Sequence, residues 1–113
     1  MDHQFEVNTV AQMRQVVGPY TQALLTNTAQ GKYLCTVEDV YVGGNLRFKG
    51  TYGGGELNLL LPFCRPDTRA LVVGAHIGTI AIPLARLCAG VVAIEANPET
   101  FELLRLNVMR IVV

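Results

Sequence analysis

Residues 69–99 read RALVVGAHIGTIAIPLARLCAGVVAIEANPE, two short apolar runs joined by a glycine-bracketed turn and a helical stretch. This segment constrains the fold more than any other. A continuous run such as RALVV suits a parallel strand covered on both faces, rather than a half-exposed strand that alternates. In the stretch that follows, Ile80, Leu84 and Leu87 recur at helical spacing, and Gly90 can stop the helix. Pro83 is tolerated only in a first turn, so this helix should begin no earlier than about His76. VVAIE is a second strand. NPETFELLRLNVMR is a second helix, with Asn97 as its cap, Pro98 at its first position and Glu99 near its positive end. The order is β-α-β-α, and a parallel crossover of this kind is right-handed in nearly all folds. The class is α/β.

In open parallel sheets ligands sit outside the carboxyl ends of the strands. The two strands end near Val73 and Ile94, so the turn Gly74–Gly78 and the acidic Glu95 face one crevice. Glu95 lies about 20 residues beyond the turn, the spacing of a carboxylate that accepts hydrogen bonds from a ribose diol. A dinucleotide turn needs a second glycine so that backbone can approach a pyrophosphate. His76 occupies that position and obstructs a phosphate, which weakens an NAD reading. S-adenosylmethionine carries no phosphate and tolerates a side chain there. His76 can donate or accept, depending on its tautomer, or it can be a loop residue without chemistry. No nucleophile, metal cluster or proton-relay pair is assignable, so the catalytic residues are unknown and no metal is expected.

The stretch ALVVGAHIGTIAIPLARLCAGVVAIEANPETFELLRLNV resembles the opening of FkbM-type S-adenosylmethionine-dependent methyltransferases. Such sequences carry a D-V-G-A-N-x-G turn, then an E-P-N-P-E-like stretch, then a helix ending L-x-x-N. Gly74, Ala75 and Gly78 match the turn; Glu95, Asn97, Pro98 and Glu99 match the second stretch; Leu104 and Asn107 match the helix end. Three positions depart from the pattern: Val72 stands for the aspartate, His76 for the asparagine and Ala96 for a proline. The aspartate of the family helps organise the methionyl end of the cofactor, and valine cannot accept a hydrogen bond. The resemblance implies an incomplete Rossmann-like methyltransferase fold that binds S-adenosylmethionine through Gly74, Ala75, His76, Gly78, Glu95, Ala96 and Asn97. It implies methyl transfer, to oxygen, onto an unidentified small-molecule acceptor. It covers about the last 60 residues and makes the chain the N-terminal, cofactor-binding part of such a domain. The alternative is a non-catalytic Rossmann-like fragment serving as a binding or assembly module.

Upstream the pattern changes. In residues 5–30 Val10, Met13, Val17, Tyr20 and Leu24 recur at helical spacing, Asn8 or Thr9 can cap the start, and Gly18–Pro19 breaks the run. This predicts an arm of two short helices over residues 1–31, and a partial cofactor-binding domain over residues 32–113. Within the latter, KYLCTVEDVYV reads as a strand or strand pair, GGN as a turn and LRFKG as a return strand. TYGGGE reads as a flexible loop, with Tyr52 and Glu56 as contacts for a ligand or as plain loop residues. ELNLLLPFC reads as a short helix stopped near Pro62.

Composition excludes several classes. Net charge is zero, without the basic excess of a nucleic-acid binder. No apolar run is long enough to span a bilayer. The polar, acidic start MDHQFEVN is unlike a signal peptide, and Cys35, Cys64 and Cys88 have no metal-like spacing. A reduced, cytoplasmic setting follows as the expectation. Half of the residues are hydrophobic, more than so short a chain can hide, and two parallel strands leave flanks without main-chain partners. "IVV" at 111–113 would only begin a third strand. Self-association, or pairing with a complementing segment, is therefore expected.

Overall fold

A computed structural model describes residues 3–109 of the chain. Among the described residues five α-helices and two small sheets make a mixed α/β arrangement, and the chain divides into two compact units, Met1–Tyr52 and Gly53–Val113.

In the first unit helix α1 covers His3–Val17. Asn8 and Thr9 lie inside it rather than at its start, because the helix begins earlier than the sequence pattern indicated. Gly18, at φ +88°, closes it by donating its N–H to the Arg14 carbonyl (2.9 Å). Arg14 also donates to the Gly18 and Thr21 carbonyls and pairs with Glu38. The second half of the expected arm is not helical. Ala23–Thr28 is strand β1, paired antiparallel with β2, Gly31–Thr36. The spacing of Tyr20 and Leu24 mimicked a helix, but residues 23–28 have the β-branched and polar alternation of a hairpin arm. Tyr33, Cys35, Val37 and Leu46 are buried.

The expected return strand at residues 46–50 is also a correction: Val42–Lys49 is helix α2. Asp39 starts it by accepting the Val42 N–H (2.9 Å), and Gly50 ends it in the left-handed conformation. Arg47 donates to the Thr36 and Asp39 carbonyls. Capping and the burial of Leu46 outweigh the turn signal of Gly43–Gly44, both of which are buried.

In the second unit Gly54–Leu60 is helix α3, followed by a 3₁₀ turn at Leu61–Phe63. Two of the three glycines expected to form a flexible loop are thus helical, and Gly53 alone keeps a left-handed backbone there. Strand β3 is Arg69–Val73, helix α4 Ala81–Leu87, strand β4 Gly90–Ile94 and helix α5 Pro98–Met109. Strands β3 and β4 are parallel, in the register Arg69↔Gly90 to Val73↔Ile94. Pro83 falls in the first turn of α4, as its chemistry requires. The hairpin strands do not extend this sheet; they form their own.

One face of the parallel pair carries Val72, Val91 and Ala93, which pack on buried Ala75, Ala81 and Leu104. The other carries Leu71, Val73, Val92 and Ile94, which are 65, 72, 62 and 48% exposed. Coverage of both faces, expected from the apolar run, is thus not found: the helices that supply the core lie on one side. The expected third-strand start at 111–113 lies outside the described residues. Among the described residues no helix is long and apolar enough to cross a membrane.

Candidate functional site

The site is built where the two parallel strands end. Val73 and Ile94 are register partners. The N–H groups of Gly74 and Ala75 both donate to the Ile94 carbonyl, at 2.8 and 2.9 Å. The chain therefore turns sharply over the end of β4, and Gly74, at φ +74°, takes the left-handed conformation that this requires. His76 is left-handed too, at φ +54°, and is the only described non-glycine residue with a positive φ. Histidine tolerates that region better than most side chains.

Glu95 holds this turn from the facing strand end. Its Oε1 accepts the His76 N–H (2.8 Å) and its Oε2 accepts the Asn97 N–H (3.0 Å). These N–H donors, Asn97's first and His76's second, hold the Glu95 carboxyl below the usual carboxylate range, against a smaller opposing effect of burial. One carboxylate thus ties the loop after β3 to the loop after β4. Asn97 is committed elsewhere through its side chain: its Oδ1 accepts the Glu99 and Thr100 N–H groups (3.0 and 3.2 Å) and caps α5. Ala96 is exposed between the two.

The far side of the turn is fixed from below. Gly78 donates to the Ala75 carbonyl (3.0 Å) and sits at φ +102°. A Cβ there would lie 2.7 Å from Ile82 Cδ1 and 3.1 Å from Leu104 Cδ1. Asn107, 1% exposed, donates from Nδ2 to the Ile77 carbonyl at 2.9 Å. A buried loop carbonyl is thereby satisfied by a side chain from the last turns of α5.

Of the residues singled out from the sequence, Gly74, His76, Gly78, Glu95 and Asn97 meet here through backbone conformation and hydrogen bonds. The Ala75 side chain belongs to the core beneath the loop rather than to its surface. Val72, at the position of the resembled family's aspartate, also packs on that core. Glu56 is exposed in the first turn of α3, and Tyr52 meets Tyr41 edge-on, with ring centroids 5.8 Å apart. Sequence reasoning noted Asn107 only as part of a pattern and missed what it does. The available signal was a polar residue on the same helix face as Leu103 and Leu104.

No protein-family model matches the chain, and no curated protein matches it.

Proposed function

We propose that the second unit is a Rossmann-like half-site for S-adenosylmethionine, and that the chain is the cofactor-binding part of a methyltransferase acting on oxygen in a small-molecule acceptor. The observation that carries this reading is the Glu95 carboxylate, set beside a left-handed turn at the carboxyl ends of two paired parallel strands. A carboxylate has about four acceptor positions, and two of them take backbone N–H groups. Those left can receive the two O–H donors of a ribose diol. The exposed backbone at Gly74, where even a Cβ would meet nothing within 4 Å, leaves room for the rest of an adenosyl group. These features favour the fit. When bound, S-adenosylmethionine supplies a methyl group on a sulfonium centre. The residues of this chain bind and orient; acceptor contacts and a general base are assigned to none of them.

Calorimetric titration of the chain with S-adenosylmethionine, S-adenosylhomocysteine and NAD tests the proposal. Either sulfur cofactor should bind more tightly than NAD, and Glu95→Gln should weaken that binding by about 1–2 kcal/mol, roughly 5- to 30-fold. Tighter binding of NAD, or binding unaffected by the substitution, would overturn it.

A second reading is a non-catalytic binding or assembly module. The exposed apolar face formed by Leu71, Val73, Val92 and Ile94 favours it. On this reading the chain self-associates through that face, and sedimentation velocity over a dilution series shows a concentration-dependent oligomer. A monomer at every concentration counts against it.

A further inference from the structure

The three cysteines occupy two different settings. Cys35 is fully buried, and burial pushes its thiol up to about 11. Cys64 and Cys88 are both partly exposed, and the backbone sets them side by side: Ala89, next to Cys88, donates to the Thr68 carbonyl (2.8 Å), and Thr68 closes a turn onto Arg65, next to Cys64 (3.0 Å). They are far apart in sequence and are brought together by the sheet, where Arg69 pairs with Gly90 at the start of the ladder. Each cysteine terminates a helical segment in extended backbone: Cys64 after the 3₁₀ turn at φ −91°, ψ 119°, and Cys88 after α4 at φ −106°, ψ 163°. Neither is locked inside a helix. The Cys64 thiol also donates to the Leu60 carbonyl at 3.4 Å, a weak contact that is easily exchanged.

We propose that Cys64 and Cys88 are a modification site that hydrogen peroxide converts to a reversible intramolecular disulfide. The first thiolate attacks one peroxide oxygen, breaks the O–O bond and becomes a sulfenic acid, with the second oxygen leaving as water after protonation. The neighbouring thiolate then attacks that sulfur, forms the S–S bond and displaces hydroxide, which is protonated to a second water. Two thiols are oxidised, one peroxide is reduced to two waters, and a dithiol reductant reverses the change. The ring so closed holds β3, the Gly74–Gly78 turn and α4, so oxidation pins both ends of the segment that carries the turn. Burial and the adjacent Cys64 thiol hold the Cys88 thiol above its ordinary range, so bond formation quickens as pH rises and the thiolate population grows.

The test treats the full chain with hydrogen peroxide, counts thiols after denaturation and maps peptides by mass spectrometry without reduction. Free thiols should fall from three to one per chain, with the Cys64 peptide joined to the Cys88 peptide and Cys35 still reduced. Dithiothreitol should restore all three. Cys64→Ser and Cys88→Ser should each abolish the linked peptide. Three thiols surviving a dose that oxidises the denatured chain would overturn the proposal. So would a map in which Cys35 is linked, or in which the bridges run between chains.

Discussion

Replacing Glu95 by glutamine isolates the clamp that joins the two strand-end loops. Glutamine keeps one carbonyl oxygen, so it can replace one of the two bonds in its present geometry, and its amide group then faces the other N–H donor. A hydrogen bond to a charged acceptor contributes about 1.5–3 kcal/mol. Glu95 is only partly buried, so water replaces some of what is lost, and the net cost should be about 1–2 kcal/mol. In a domain of this size about 1 kcal/mol moves Tm by roughly 4–8 °C. The helical circular-dichroism melt of Glu95→Gln should therefore fall by roughly 5–15 °C at neutral pH. The dependence on pH makes the test specific. The folded carboxyl is held below its ordinary value, whereas in the unfolded chain it titrates normally. Its contribution is complete above the ordinary carboxylate range and is lost as pH falls through the lowered folded value. Glu38 and Glu102 are lowered as well, by Arg14 and Arg105, but both proteins contain them and they cancel in the difference. The gap between wild type and Glu95→Gln should thus close in acid. Equal melting temperatures at neutral pH, or a gap of the same size in acid, would refute the clamp.

The left-handed His76 backbone predicts that His76→Val, which adds a β-branched side chain, destabilises by about 1–2 kcal/mol while His76→Asn is near neutral, as read from urea midpoints. Gly78→Ala should cost about 1–3 kcal/mol in the same assay, because its Cβ meets Ile82 at 2.7 Å and its φ is positive. Asn107→Ala leaves the Ile77 carbonyl without its Nδ2 donor; a loss of about 1–3 kcal/mol is expected, with faster amide exchange across residues 74–78.

Much of the second unit is legible in the sequence because local signals there agree with the tertiary arrangement. RALVV and VVAIE lie next to glycine, and Asn97-Pro98-Glu99 is a helix start under any packing. The first unit is less legible because its signals conflict. Gly43 and Gly44 announce a turn, yet capping by Asp39 and burial of Leu46 make a helix. Tyr20 and Leu24 fit a helical period by coincidence, and only the pairing of Leu24 with Cys35 shows the strand. At the site, the spacing of Glu95 from the turn is readable, but its two N–H partners are not, since backbone direction at His76 depends on a dihedral that side-chain identity only biases. A continuous apolar run also cannot say whether one face or two are covered. Leu71 and Val72 look alike in sequence and point to opposite sides of the sheet.

The bond from Asn107 to Ile77 spans 30 residues of chain. Translation at about 5–20 residues per second separates residues that far apart by seconds. The turn therefore leaves the ribosome well before the side chain that fixes its shape. The geometry of this loop is thus acquired late in synthesis, when the last turns of α5 dock.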